Sequence, residues 1–227
     1  MTGAISLLRK IHLGVIATFL IGLVVVFSLT ASGVEPEADR LIQALELKPN
    51  STVADVGAGS GFLSIELARQ LGPAATVYAT EVDTKELDKI RTAVQKEGLK
   101  NVLVIVGARN DTRLVANCCD AIFLRRVYHH ITDPVDIDRS LYLALRPGGR
   151  LAIIDFEPWQ KPKEKIVPGV PTNRGGHGSP KPIVLSELTR AGFVPVSTTD
   201  WPVTGDITHF CMLFRKPAAT APAGASP

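Results

Sequence analysis

A chain of 227 residues, 45% hydrophobic and 21% charged, with 19 Gly and 16 Pro, has the profile of one ordinary globular domain rather than a disordered or collagen-like segment. Three cysteines, two of them adjacent at Cys118 and Cys119 and none in a Cys-x-x-Cys spacing, exclude a disulfide framework and a structural zinc knot. Of the 25 Lys and Arg, Arg9 and Lys10 lie in the first 33 residues, which hold no acid; the remainder has 23 bases against 22 acids and no electrostatic footprint for nucleic acid.

From Ile11 to Thr30 twenty residues pass without a charge, and a helix of that length spans about 30 Å at about 1.5 Å per residue, the thickness of a bilayer core. Residues 1–33 are therefore expected to be a membrane anchor, spanning through residues 11–30. The competing reading is a secretory signal cut at the small-x-small Ala31-Ser32-Gly33, although the apolar run exceeds the usual core of about 7–15 residues. A buried core helix is a third reading. Arg9 and Lys10 before the span, with Glu35, Glu37 and Asp39 after it, direct the amino terminus to the cytoplasm and the domain to the far side.

From Glu35 onward helical and strand-like stretches alternate, which is the pattern of an α/β domain with a largely parallel sheet. Apolar Leu41, Ile42, Leu45 and Leu47 at helical spacing predict a helix over Glu37 to Leu47, stopped by Pro49-Asn50. Strands follow at Thr52 to Val56, Thr76 to Thr80, Asn101 to Val106, Ala121 to Leu124 and Arg150 to Phe156. The helices between them are Phe62 to Leu71, Thr84 to Glu97, and Pro134 to Leu145 with Asp133 as N-cap. Pro158 to Pro182 holds six prolines and four glycines in 25 residues, too many for a regular element, and is the lid candidate. Ser179-Pro180 is expected to cap a helix to Ala191, and Phe193 to Thr199 and Phe210 to Phe214 supply two last strands. The domain is thus expected over 34–216, with an Ala/Pro-rich disordered tail at 217–227.

The strongest motif is Val53-Ala-Asp-Val-Gly-Ala-Gly-Ser-Gly61, a strand running into Gly57, Gly59 and Gly61 and then a helix. Glycine permits positive φ and removes side chains, so the backbone can approach a ligand at a helix N-terminus. Asp55, two residues before the glycines, would stand at the strand end, where a cationic amino group could be held. Glu81 closes the second strand, at the place where a carboxylate accepts hydrogen bonds from ribose hydroxyls. These features point to a nucleoside ligand. The dinucleotide fingerprint would require glycine at position 62, where Phe62 stands, and no Tyr-x-x-x-Lys pair exists.

The chain resembles the class I S-adenosylmethionine-dependent methyltransferases, particularly the small-molecule group typified by the ubiquinone and menaquinone biosynthesis enzymes. The resemblance covers roughly Glu37 to Phe156. It rests on four stretches in order: the glycine motif at 53–61, Tyr-Ala-Thr-Glu-Val-Asp at 78–83, Asp-Ala-Ile-Phe-Leu-Arg-Arg-Val-Tyr-His-His at 120–130, and Leu-Arg-Pro-Gly-Gly-Arg-Leu-Ala-Ile-Ile-Asp-Phe at 145–156. It implies a doubly wound, Rossmann-like sheet of seven strands, mostly parallel with an antiparallel last strand, and S-adenosyl-L-methionine as cofactor. By position it implies that Asp55, Gly57, Gly59 and Gly61 surround the methionine and ribose, that Glu81 binds the ribose, and that Val82 packs on the adenine. Arg125 would pair with the cofactor carboxylate. The family's Gly-Asp-Ala after the third strand is here Gly107-Ala108-Arg109, which leaves Asn110 and Asp111 as candidate substitutes for the acid that contacts the adenine amino group, the alternative being that both are loop residues placed for conformational reasons alone.

Methyl transfer from a sulfonium needs alignment above all, and a base only for a protonated acceptor. Tyr128, His129 and His130 are the candidates, with Asp155 and Glu157 on the next strand edge and His177 in the glycine-rich loop. No metal site is expected, since His129, His130, His177 and Glu157 lack a helical ligand spacing. The expected activity is methyl transfer to a small, membrane-soluble acceptor. The alternatives are a non-catalytic nucleoside-binding module, which fits a domain outside the compartment where the cofactor is made, and an NAD(P)-dependent oxidoreductase.

Overall fold

A computed structural model describes residues 36–158, 168–174, 177–203 and 208–218. The expected anchor or signal at 1–33, the loop residues Trp159, Ile166 and Val167, and the tail beyond 218 lie outside them. Among the described residues no helix is long and apolar enough to cross a membrane.

The elements run α1 (Glu37–Ala44), β1 (Thr52–Val56), α2 (Phe62–Leu71), β2 (Thr76–Glu81), α3 (Thr84–Lys96), β3 (Val102–Val106), β4 (Cys119–Arg125), α4 (Pro134–Ala144), β5 (Leu145–Phe156), α5 (Lys181–Arg190), β6 (Val194–Trp201) and β7 (His209–Arg215). The sheet order is β3-β2-β1-β4-β5-β7-β6, with β7 antiparallel to both β5 and β6 and the pairings among β1 to β5 parallel. Strand order reverses between β1 and β4, and in an open α/β sheet such a switch point opens a crevice at the carboxyl ends of the strands.

Side chains alternate along each strand, so one chain segment feeds two cores. Val53 and Phe123 join Leu41, Leu67 and Ile90 beneath α1, α2 and α3. Ala54, Ile122 and Leu124 join Ile137, Leu141, Val184 and Leu188 beneath α4 and α5. Burial on both faces explains the nearly continuous apolar run of β4.

Three boundaries differ from the sequence pattern. Helix α1 ends at Ala44 because Glu46 takes φ 54, and Leu47 N donates to Ile42 O, which turns Leu45 and Leu47 into the core without further helix. Strand β5 begins at Leu145, paired with Cys119, and the Pro147-Gly148-Gly149 stretch lies within it at a register shift. Ser179 does not cap α5; Pro180 holds that position, and the Ser179 hydroxyl donates instead to Asp155 Oδ2 at 3.2 Å. Asp133 does cap α4, accepting from Asp136 N at 3.2 Å.

Candidate functional site

At the carboxyl ends of β1, β2 and β3 the backbone leaves the sheet in three successive loops. Gly57, Gly59 and Gly61 take φ of 77, 54 and 81, the left-handed region that favours glycine. Gly57 N and Ala58 N both donate to Thr80 O at 2.9 Å, which draws the turn over the end of β2. A Cβ on Gly57 would come within 2.6 Å of Val127 Cγ2, so the turn is as close to the β4 loop as bare backbone allows.

Glu81 is the hinge of this corner. Its Oε2 accepts from Gly59 N at 2.9 Å, and its Oε1 accepts from Val82 N at 2.7 Å and Asp83 N at 3.1 Å. The carboxylate therefore stands in a fixed place at the rim of a cavity of about 370 Å³, within the size of a small-molecule site. Gly57, Glu81 and Val82 line it on one side, Gly107 to Arg109, Asp111 and Thr112 on another, and Val127, His130, Ile131 and Ile137 on the third. Val82 is 51% exposed, an apolar side chain left open at a cavity wall.

Asp55, Gly59, Gly61 and Arg125 are near this corner but are not among the lining residues of that cavity. Asp55 is buried behind the turn, where Ser64 Oγ donates to its Oδ2 at 2.7 Å. Burial pushes its carboxyl up to about 7, against the opposing effect of the Ser64 hydroxyl. Arg125 Nε donates to Glu37 Oε1 at 2.7 Å, and Trp201 Nε1 donates to the same oxygen at 2.9 Å. The guanidinium expected to meet a cofactor carboxylate is thus already paired to α1. Arg40, one turn along, stacks its guanidinium 4.7 Å from the Trp201 ring centroid, and its buried Nε and Nη1 have no hydrogen-bond partner among the described residues. Sequence reasoning passed over Arg40, since a lone basic residue on a helix gives no signal.

Between Asn110 and Asp111 the structure distinguishes. Asn110 Nδ2 donates to Asp136 Oδ2 at 3.2 Å, whereas Asp111 lines the cavity, with Oδ1 accepting from Arg113 N at 2.8 Å.

The three candidate bases part company. Tyr128, His129 and His130 form a 3₁₀ turn after β4. Tyr128 is fully buried, 3.0 Å from Asp138 Oδ2 and 2.9 Å from Glu187 Oε2, with the Arg174 guanidinium 4.8 Å from its ring centroid. Burial and those two carboxylates hold its pKa well above that of a free phenol. It belongs to the packing of α4 on α5 and, unlike His130, is not among the residues that line the cavity, where a base is expected.

His129 and His130 lie on the other side. Asp155 is wholly buried, and its carboxylate takes four donors: His129 N at 3.0 Å, Phe156 N at 3.0 Å, Ser179 Oγ at 3.2 Å and the His129 ring Nδ1 at 2.8 Å. The His129 ring centroid is 3.9 Å from that of His130 and 4.6 Å from that of His177. His130 is exposed overall, yet lost hydration on its packed side, followed by the His129 and His177 rings, pulls its pKa down to about 4. Its imidazole is therefore neutral at pH 7, with a lone pair to offer. Glu157 stands apart, its carboxylate 3.0 Å from Lys181 Nζ.

Comparison with known proteins places this geometry. The family model for the methyltransferase domain matches residues 47–174. Methyltransferase GfsG of Streptomyces halstedii is 32% identical over 54% of this chain and 44% of its own length. The ubiquinone/menaquinone biosynthesis C-methyltransferase UbiE of Legionella pneumophila (strain Lens) is 26% identical over 51% of this chain and 46% of its own. The chain spans under half the length of both relatives. An S-adenosylmethionine-dependent methyltransferase of Aquifex aeolicus superposes with a TM-score of 0.63 at 25% identity, covering 79% of this chain and 89% of that one.

Proposed function

The chain belongs to the methyltransferase-domain family, with S-adenosylmethionine as cofactor, and from that premise we propose that it transfers the cofactor's methyl group to a small, membrane-soluble acceptor. The observation that carries the reading is the Glu81 carboxylate, locked by three backbone N–H donors at the cavity rim with the glycine turn beside it. Three of its four lone-pair sites are taken, so a carboxylate so held keeps one, on Oε2, for a ribose hydroxyl and loses nothing to reorganisation when that hydroxyl arrives.

The residues fit the cofactor part by part. Gly57 and Gly59 expose bare backbone to the sugar and methionine; Val82 offers an apolar face to the adenine; Asp111 replaces the missing family acid as acceptor for the adenine amino group. The Arg40 nitrogens, without a hydrogen-bond partner among the described residues and on the helix that carries Glu37 of the Arg125–Glu37 pair, suit an anionic carboxylate. Asp55 braces the turn from behind and, in its ionised form, adds negative potential for the cofactor's ammonium. Bound S-adenosylmethionine supplies a methyl group on a sulfonium, a carbon already activated for displacement. What this chain adds is alignment and exclusion of water, from Leu124, Val127, Ile131 and Ile137 along the wall. His130, neutral at that wall, presents a ring-nitrogen lone pair there.

A membrane-soluble acceptor is supported by the uncharged stretch Ile11 to Thr30, read as an anchor, and by the apolar wall. Calorimetric titration with S-adenosylhomocysteine tests the cofactor reading: saturable binding is expected, weakened about 10- to 100-fold by Glu81→Ala, since hydrogen bonds to a charged group contribute about 1.5–3 kcal/mol. Unchanged affinity in a folded Glu81→Ala chain sinks it. Turnover of a polar metabolite with no methylation of extracted lipids or quinones refutes the acceptor class.

A further inference from the structure

We propose that His129, His130 and His177 form a binding site for a divalent transition-metal ion of the zinc type at the acceptor end of the cavity, which restricts the acceptor to one carrying a ligating oxygen or sulfur. The proposal rests on the cofactor reading above for its meaning, and on geometry for its existence. Three of the five histidines in the chain converge here, from a turn after β4 and from a loop after β5, with one ring nitrogen of each within 4.8 Å of the others. A tetrahedral ion at about 2.0–2.1 Å from each nitrogen needs them about 3.3 Å apart. The closure required is about 1.5 Å at most, within reach of side-chain rotation at exposed His130 and half-buried His177.

The support behind the cluster is the stronger sign. His129 directs Nδ1 to the Asp155 carboxylate at 2.8 Å, and a carboxylate accepts only, so the proton sits on Nδ1 and the lone pair is on Nε2. Asp155 is itself fixed by three further donors, two of them backbone N–H groups. A buried carboxylate that orients an imidazole through its second nitrogen is the outer-shell arrangement that metal-ligating histidines use. It also sets the negative charge that a dication requires next to three neutral ligands. Phe156, with its ring centroid 4.9 Å from that of His129 and 5.2 Å from that of His177, walls the cluster with hydrocarbon. Three protein ligands leave an ion with a position open, and His130 is shared with the cavity wall. An imidazole set of this kind suits zinc, cobalt, nickel or copper rather than magnesium or calcium.

The test is titration of the untagged full chain with Co²⁺, read by visible d–d absorption and by metal content after gel filtration. One Co²⁺ per chain, displaced by Zn²⁺, is expected, with binding weakened at least tenfold in His177→Ala and in His130→Ala. Thermal unfolding checks the fold of both variants, and exposed His130 keeps the test alive if His177→Ala does not fold. Absence of saturable cobalt absorption, or full binding retained in His130→Ala, overturns the site. S-adenosylhomocysteine titration of the same preparation separates the two ideas: an intact isotherm with no cobalt binding removes the metal site alone, and cobalt binding without an isotherm removes the cofactor reading alone.

Discussion

Gly57 shows how much one residue can carry. Its φ of 77 and the 2.6 Å from a built Cβ to Val127 Cγ2 are separate obstacles to any side chain. Gly57→Ala should lose about 1–3 kcal/mol of stability to backbone strain alone and bind S-adenosylhomocysteine at least tenfold more weakly. Adding Val127→Ala removes the contact and leaves the φ, so calorimetry on the double variant should recover part of the affinity and not all. Asp111 and Asn110 make a second comparison. Asp111→Ala should weaken S-adenosylhomocysteine about tenfold, the loss of one hydrogen bond in the cavity wall, whereas Asn110→Ala should stay within about twofold. Equal effects in the same titration would reverse the assignment. The glycines and Glu81 were legible in the sequence because their roles depend on backbone freedom and on position at a strand end. The pairing of Arg125 was not legible because its partner, Glu37, lies 88 residues away in sequence, on α1.

The elements α4 and α5 are joined by a polar knot inside an otherwise apolar layer. Tyr128 Oη, with one proton to share, lies within hydrogen-bond distance of both the Asp138 and Glu187 carboxyls, and Arg174 Nη2 donates to Glu187 Oε2 at 2.9 Å. Burial raises the Asp138 carboxyl from 3.8 to about 7. Between those values the native state holds a proton that the unfolded chain has released, so this group's contribution to stability falls as pH rises from about 4 to about 7 and is constant above. Asp138→Asn carries no such charge. Its thermal midpoint relative to the unsubstituted protein should therefore improve between pH 5 and pH 8, by an amount worth at most a few kcal/mol. A difference that is flat with pH, or of opposite sign, would refute the buried carboxyl. Tyr128→Phe should cost about 1–3 kcal/mol in denaturant unfolding by removing the hydroxyl that the Asp138 and Glu187 carboxyls share, with S-adenosylhomocysteine affinity unchanged. The helices themselves were readable from apolar spacing and from caps such as Asp133, whereas the knot was not, since a turn of three residues sends neighbouring side chains to opposite faces.

At the scale of the whole molecule, the proposed anchor predicts that the full chain floats with liposomes in a density gradient and that removal of residues 1–33 leaves the domain in the soluble fraction with its S-adenosylhomocysteine affinity intact. A full chain that stays at the bottom of the gradient contradicts the anchor. The alternation of helix and strand, the glycine turn and the acid at the end of β2 follow from short-range rules, because periodicity, positive φ and strand ends are properties of a few consecutive residues. The place of each chemical group followed a different rule. Strand order brought β4 beside β5, and with them His129 against Asp155 and His177; it turned Tyr128 away, and it gave Arg125 to Glu37. Those meetings are between residues far apart in the chain, and only the packing of two cores on one twisted sheet decides which side chains share a pocket.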